Sequence, residues 1–350
     1  MKSSASKLNF FNKMVMLINV LILLMAYSVF LNAFYTPSVL PYFNYLAIGY
    51  VLIFCVVVIF LLYWILVSWR HAIGIFILSL GVFYIFSLSY PLNFFKKTSD
   101  EKPDLSVMSF NAHFIRDDGT DRLIAENLTD VMIFQEAYEK NFSVLDEVLK
   151  DYYSEHYDLL AIYSKYPIIE TKQINFPKDK NKGIAAYADI DTGSDTIRII
   201  NIYLETMRID KKLVKSAIEA ENSLEAEQQT KQIESKLVAG MIRHEHQLNE
   251  IMPFIKQSKH PIIVGSDLNA TPASYEYFQL TKYLKDSFLA VGSGNATTFH
   301  SFNFPIRIDY LFHSNAIKPI SGHIIRKKYS DHYPVFVNYK LPKNEPQDVK

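Results

Sequence analysis

The sequence predicts an α/β domain carried behind three membrane-spanning helices. Three observations lead there. The first hundred residues contain three long apolar runs without a single charged side chain inside them. The remainder alternates short strand-like runs with helical stretches over some 240 residues, the pattern of one α/β domain. Charge divides at the same place. Residues 1–99 carry six Lys or Arg and no acid, which leaves 30 basic against 36 acidic residues in 100–350, although the 350-residue chain is neutral as a whole. Such a split between segments marks separate units.

The apolar runs cover about residues 14–34, 45–67 and 72–90. Each is near the ~20 residues that cross a bilayer as a helix. Tyr27, Tyr35, Tyr42, Trp64, Trp69 and Tyr90 flank them, where amphipathic rings favour the interface. A cleaved signal peptide does not fit, because two further runs follow the first and no small-residue cleavage site separates them. Lys2, Lys7, Lys13 and Arg70 fall on one side of this arrangement, and Lys96 and Lys97 on the other. The larger count sets the inside face, so three crossings place the rest of the chain outside the cytoplasm. The expected organisation is a membrane region over 1–97, a linker over 98–103, a domain over 104–342 and a polar tail over 343–350. Cys55 is the one cysteine, so no disulfide forms within the chain and cysteine usage does not report the compartment.

In the second part, "DLSVMSFNAHF", "DVMIFQEAY" and "DLLAIYSKYPI" read as strands. "GIAAYADID" and "DTIRIINIYLET" form a hairpin around the turn cluster "TGSD". "HPIIVGSDLNATP" holds a short buried strand closed by turn residues, and "RIDYLFHSN" and "HYPVFVNYK" give two more. Residues 210–259 read as one long helix, with Ile233, Leu237, Met241, Leu248, Met252 and Ile255 on a single face. It lies between two strands that carry candidate residues; a packed helix is the plain reading, a lid or membrane-facing arm the other. His244 and His246 lie in it without an acidic or cysteine partner at ligand spacing, so a metal role is not expected there.

Polar residues collect where strands end. Asn111 follows one strand and Gln135–Glu136 another; Tyr203 closes a third, and Asp267 and Asn269 a fourth. Asp309 sits among apolar neighbours in "RIDYLF", and Asp331–His332 precede the last strand. One such placement is ordinary turn chemistry. Six together point to strand ends converging on a polar cleft. Carboxylate and amide oxygens without thiolates suit a hard cation, Mg²⁺ or Mn²⁺. The chain has no HExxH, no GxxxxGK[ST] and no GxSxG, which removes zinc proteases, P-loop nucleotide hydrolysis and the α/β-hydrolase elbow. A hard cation with a His–Asp pair and amide donors suits attack of water on a phosphate ester.

The motifs "SFNAHF", "IFQEAY", "PIIVGSDLNATP", "RIDYLF" and "YSDHYPVF", in that order, resemble the endonuclease/exonuclease/phosphatase superfamily, whose members are similar to deoxyribonuclease I. The resemblance covers about residues 103–342, and "AIYSKYPI" and "SYEYFQLTKYLKDSF" resemble a membrane-attached branch of it. It implies a four-layer sandwich, two β-sheets face to face with helices outside. It also implies roles: Glu136 as principal metal ligand, with Asn111 and Asp331 completing the metal site. Asp267 would activate the attacking water and Asn269 would hydrogen-bond the phosphate. His332 would contact the phosphate as acid or base, with Asp309 fixing its tautomer. Apart from the resemblance, Arg307 is expected to pair either with the phosphate or only with a nearby carboxylate. The chain departs from the pattern twice. Tyr203 stands where many members have a phosphate-contacting His, and Ser266 stands where Gly usually precedes the Asp. The resemblance includes apurinic-site endonucleases with a Tyr there, so Tyr203 would still contact the phosphate as a hydrogen-bond donor; a Tyr of ordinary pKa, near ~10, brings no positive charge.

The implied activity is that of a membrane-anchored, metal-dependent phosphodiesterase; the alternative is a catalytically impaired binding protein on the same fold. Retention of Glu136, Asp267, Asp309, Asp331 and His332 favours the enzyme. The substrate is open between nucleic acid, phospholipid and a small phosphodiester. Nucleic-acid binding rests on Lys and Arg, and this domain is net acidic with no basic run beyond "RKK" at 326–328. The bilayer is the one other partner indicated, and no protein partner is.

Overall fold

The structure is a computed structural model that describes residues 8–91, 93, 101–115, 119–176, 183–209, 211–220, 222–301 and 306–342. Lys2, Lys7, Lys96, Lys97, the first part of the expected linker (98–100) and the expected tail (343–350) lie outside the described residues.

Helix α1 (Phe10–Ser28) continues as a 3-10 turn to Ala33, so the first span is 24 residues long. It starts earlier than the apolar run, because Asn9 caps it by accepting from the Asn12 N–H. A short α2 (Tyr42–Ile48) precedes α3 (Tyr50–Val67), and α4 (Trp69–Ser87) follows. The second apolar run is therefore broken at Gly49, the residue with the weakest hold on helical geometry in that run. Ser68 is extended and separates α3 from α4. α1 with its 3-10 turn, α3 and α4 are long and apolar enough to cross a membrane. At 1.5 Å per residue they measure roughly 27–36 Å, the thickness of a bilayer core. Leu52, Ile59, Leu62, Ile65 and Leu66 on α3 all face outward, as lipid-facing side chains do.

The domain that follows contains β1 (Leu105–Asn111), α5 (Thr120–Glu126), β2 (Val131–Gln135), α6 (Glu139–Val148), β3 (Tyr153–Tyr157), β4 (Leu160–Ser164) and β5 (Ile168–Ile174). Next come β6 (Ile184–Asp191), β7 (Thr196–Tyr203), α7 (Lys211–Ile218), α8 (Ser223–Lys256), β8 (Ile262–Asp267), α9 (Tyr275–Thr281) and β9 (Lys285–Asp286). The last are α10 (Ser287–Val291), β10 (Asp309–His313), β11 (Lys318–Ile324) and β12 (Val335–Lys340). The long helix expected over 210–259 is a helical hairpin, α7 and α8. Asn222 makes the break by accepting from the Glu225 N–H at the start of α8.

Two six-stranded mixed sheets result, in the orders β11-β12-β1-β2-β4-β3 and β5-β6-β7-β8-β10-β9. β6 and β7 form the expected antiparallel hairpin. Strand alternation explains the layering. Val107, Val131 and Ile133 face Ile199, Ile263 and Leu311 of the other sheet across a dry core. Met108, Phe110, Met132 and Phe134 turn outward against α5 and α6 through Leu123, Ile124, Phe142 and Leu145. Ile200, Ile202 and Val264 turn outward against α8 through Leu248, Ile251 and Ile255, and the membrane-type helices join this same cluster. The domain is thus the expected four-layer sandwich.

The helices grip the domain at two places. Between α1 and α3, Asn32 donates to Ala273 O (2.9 Å), Tyr275 N donates to Asn44 Oδ1 (2.8 Å), and Ser38 donates to Glu245 from both its N–H and its hydroxyl. After α4, Leu88 O accepts from Arg307 (2.7 Å), and Gly294 and Ala296 donate to Pro91 O and Ser89 O.

Candidate active site

Along each central strand the inward-facing positions change from apolar to polar toward one end. Val107 is followed at alternate positions by Ser109 and Asn111, Ile133 by Gln135, Ile199 by Asn201 and Tyr203, and Ile263 by Gly265 and Asp267. The register places these in rows: Asn111 beside Gln135, and Tyr203 and Asp309 on either side of Asp267. Neighbouring strands lie about 4.8 Å apart, so each row is a line of touching side chains.

The lower row joins the sheets. Gln135 donates to Asn201 Oδ1 (2.8 Å) and Ser109 Oγ (3.2 Å), and Asn201 donates to Phe134 O and Ala161 O. Gly265 is required here, since a Cβ would come within 2.7 Å of Ile133 and 2.9 Å of Ser109 Oγ. Ser266 faces away from Asp267 by strand alternation, so its replacement of Gly does not alter the face that carries the carboxylate.

The upper row is the candidate site. His332 Nδ1 lies 2.8 and 3.0 Å from the two carboxylate oxygens of Asp309, and both residues are buried. Burial works against charge on the imidazole. Asp309 outweighs it, with help from Asp267 and Asp331, and the His332 pKa is lifted to about 10. Asp267 is fully buried; it accepts from Asn269 N (2.9 Å) and Asn111 Nδ2 (2.8 Å). Its pKa is raised, by burial first and then by the Asp309 charge, while His332 and the two hydrogen bonds oppose the rise. Asp267, Asp309 and His332 bring ligand-type atoms within 4.8 Å of one another.

Glu136 follows β2 with a left-handed backbone, φ +51°, a conformation costly for a residue with a Cβ and found where a site over-determines it. The turn aims its Oε1 at two donors, Asn111 Nδ2 (3.1 Å) and Tyr203 Oη (3.0 Å). The Tyr203 pKa is pushed far up, by burial first and then by Glu136 and Asp267, so the phenol is a fixed neutral donor. Asn269 also has positive φ, +47°, which Asn tolerates. One of its amide protons is held by Leu204 O (2.9 Å) and the second is left for another acceptor.

Asp331 is oriented from the backbone. Ser330 Oγ donates to Asn111 O and accepts from His332 N, which ties the last loop to the end of β1. Among the described residues the buried Asp331 Oδ1 has no hydrogen-bond partner; it lies 3.6 Å from His113 Nδ1 and 4.0 Å from His332 Nε2. Glu136, Asn269, Asp331, His332 and His113 open together onto one cavity of about 480 Å³.

Of the residues expected in the site, Arg307 alone is placed elsewhere. Its guanidinium is buried, donates to Asp286 Oδ1 (2.8 Å) and Leu88 O (2.7 Å), and stacks over Tyr310. It precedes β10, outside the strand's alternation, and its side chain is held toward Tyr310 and the end of α4. Tyr203 is present, but its hydroxyl is directed at Glu136. His244 is buried with both ring nitrogens in use, on Glu276 Oε1 and Glu205 O, so it has no ring nitrogen for a metal; its acidic partner comes from a distant helix.

Sequence reading did not find His113, Thr298 or Phe299. His113 opens a run of three residues with positive φ, which no sequence pattern signals. Thr298 Oγ1 accepts from the N–H groups of Ile308 and Asp309, fixing the start of β10. Phe299 packs its ring 4.8 Å from that of His332. Both act from a loop without periodicity.

A two-sheet sandwich with a buried Asp–His pair, a second buried Asp and a strained Glu at one edge defines a hydrolase-type site on a deoxyribonuclease-I-like fold. The profile of the endonuclease/exonuclease/phosphatase family matches residues 108–332, and the chain belongs to that family. Among solved structures it is similar to humanized D. rerio TDP2 carrying 14 mutations, at 16% identity and TM-score 0.51, over 68% of this chain and 99% of that one. It is similar to truncated Caenorhabditis elegans TDP2 (16%, TM-score 0.50, 67% and 97% covered) and to an endonuclease/exonuclease/phosphatase from Beutenbergia cavernae (17%, TM-score 0.50, 69% and 72%). At these identities the likeness is one of fold. No curated protein matches the chain.

Proposed function

We propose that the chain is a membrane-anchored, divalent-metal-dependent phosphoester hydrolase, most simply a phosphodiesterase, that directs water at phosphorus. The observation that carries this reading is the buried His332–Asp309 pair set beside Asp267, with His332 lining a cavity. His332, cationic through neutral pH by virtue of Asp309, contacts a phosphoryl oxygen and protonates the departing oxygen through Nε2. Asp309 holds the tautomer and orientation of the ring. Asp267 orients the attacking water and accepts its proton, a task to which a raised carboxylate pKa is suited. Asn269 donates its remaining amide proton to the phosphate.

Glu136, Asn111 and Asp331 are the residues that would hold the metal. Their carboxylate and amide oxygens are a hard-cation set, met by Mg²⁺ or Mn²⁺. The buried Asp331 Oδ1, near two imidazoles but without a hydrogen bond among the described residues, fits such an ion, since a buried oxygen without a hydrogen bond is costly. When bound, the ion would neutralise negative charge developing on the phosphoryl oxygens. Tyr203 is then a positioning residue for Glu136, not a phosphate contact.

For the anchor, the segment after α1 and the segment after α4 both touch the domain. Two segments separated by two further crossings must lie on one side of a membrane, so these contacts support three spans. With the Lys and Arg distribution, they support a domain outside the cytoplasm.

The test is hydrolysis of bis(p-nitrophenyl) phosphate by the full chain with Mg²⁺. Glu136→Gln and His332→Gln are expected to lower kcat/KM at least a hundredfold, and chelation to abolish activity. Equal rates in wild type and both variants would remove this reading. Protease protection in intact cells tests sidedness.

A further inference from the structure

The cavity at the candidate site has an unexpected second half. Away from Glu136 and His332, its walls are mostly apolar, with Val214 on α7, Leu237 and Met241 on α8, Ile306 and Ile308 before β10 and Ile48 at the end of α2, beside a polar strip that includes Asn44, Ser274 and Glu276. No Lys or Arg is among its described lining residues. A phosphate site that opens into hydrocarbon on one side and carries no basic track is unsuited to nucleic acid, whose backbone is held by Lys and Arg.

The apolar wall also stands over the anchor. Leu237 and Met241 lie between Glu234 and Glu245 on α8. Glu234 O accepts from Tyr45 Oη (3.0 Å), and the Glu245 carboxylate accepts from Ser38. Tyr45 and Ser38 belong to the segment that joins the first two spans. At the bend of the α7–α8 hairpin, the apolar side chains of Ile218 and Leu224 are 80% and 65% exposed.

We infer that the cavity takes the hydrocarbon of a bilayer lipid whose phosphoester is presented to Glu136, Asp267 and His332. The inference rests on the phosphoester-hydrolase reading and on the helices lying in a bilayer. A pocket of about 480 Å³ is within the range that holds a small ligand or one stretch of alkyl chain. In the reaction water adds to phosphorus, one P–O ester bond breaks, and the departing oxygen takes a proton. The chain half of the lipid stays in the apolar walls, while the polar product leaves to water.

The experiment compares methyl, butyl and octyl p-nitrophenyl phosphate diesters, with the full chain held in an amphipathic polymer free of added lipid and detergent, with Mg²⁺. The octyl-to-methyl ratio of kcat/KM is expected to be tenfold or more. Leu237→Gln and Val214→Asn are each expected to bring that ratio to within threefold of one. The same ratio is read from Kd for octyl and methyl phosphate, so that a chain without hydrolysis still reports on the pocket. Hydrolysis of all diesters at one rate, or equal Kd values, overturns the lipid inference and leaves the hydrolase reading standing. No hydrolysis, with octyl phosphate bound tenfold tighter and that gain lost in Leu237→Gln, upholds the apolar pocket and removes the hydrolase reading. Preference for p-nitrophenyl thymidine phosphate over the octyl ester overturns the inference in favour of nucleic acid.

Discussion

At the scale of single residues, the site works by fixing donors and charges before any substrate arrives. Asp309→Asn keeps the shape beside His332 but removes the charge that makes the imidazole cationic. Its expected effect is a fall in kcat of about 10³–10⁴-fold, as for other orienting acids beside a His, measured on a soluble diester. Tyr203→Phe removes one of the two hydrogen bonds to Glu136 Oε1. Such a bond to a charged group contributes about 1.5–3 kcal/mol, so the apparent affinity for Mg²⁺ is expected to weaken roughly ten- to a hundredfold, with kcat at saturating metal little changed. A raised KM for phosphate ester with unchanged metal affinity would return Tyr203 to direct phosphate contact. Asp267, Asp309 and His332 were legible in the sequence because alternation and turn chemistry mark a polar residue closing an apolar strand. His113 and Phe299 were not, because their place depends on positive-φ backbone and on a non-periodic loop. Arg307 pairs with a carboxylate, Asp286, and not with the cleft, because it precedes β10 and its direction is set by Asp286 and Leu88 O, which spacing from Asp309 does not reveal.

At the scale of elements, the two sheets are coupled by polar contacts just below the site. Asn201→Ala leaves the Gln135 amide and two buried carbonyls short of a partner. The expected loss is about 2–4 kcal/mol, read from denaturant unfolding with an unchanged slope. A second element-level device sits at the far end of β10. Tyr339 Oη donates to Ser287 Oγ, and the Ser287 hydroxyl is then free to donate to the buried His313 Nδ1. That arrangement suits a neutral ring, and burial lowers the His313 pKa to about 4. The unfolded chain therefore binds more protons between pH 4 and the ordinary value near ~6.5, and stability rises with pH across that window. The contribution is about 3 kcal/mol, present above pH ~6.5 and lost on acidification to pH ~4. Unfolding of His313→Phe is expected to show a flatter pH dependence in that window; an unaltered slope would exclude the role. The central strands were readable because each is a short apolar run. The edge strands β3 and β5 were not, being half-exposed runs of charged and polar residues without clean alternation. The break between α7 and α8 was also hidden, since Asn222 differs little from its polar neighbours until its cap is seen.

At the scale of the whole molecule, the three apolar helices and the domain pack together. Arg307 links them: it is buried, bonded to Leu88 O at the end of α4 and paired with Asp286, which also caps α10. Removing one partner of a buried ion pair costs about 3–5 kcal/mol. Arg307→Met is therefore expected to lower the Tm of the full chain, and the KM of the folded fraction is expected to stay within twofold of wild type. A tenfold rise in KM at unchanged Tm would restore a phosphate-binding role. The general plan, helices first and sandwich after, was legible from charge and hydropathy alone. The seating of one on the other was not, because it is carried by scattered residues such as Asn32, Asn44 and Ser38, none of which stands out in its own segment.

The pairing of β12 with β1 has a consequence for biogenesis. Asp331 and His332 immediately precede β12, and Ser330 bonds back to Asn111 at the end of β1. The strand made first in the domain waits for the strand made last, across more than two hundred residues. Such distant pairing is slow to form. A nascent chain that has not yet reached residue 340 has no complete site, whatever portion of the sandwich has already condensed. The proposed activity is thereby withheld from the growing polypeptide until its closing strand has joined its first.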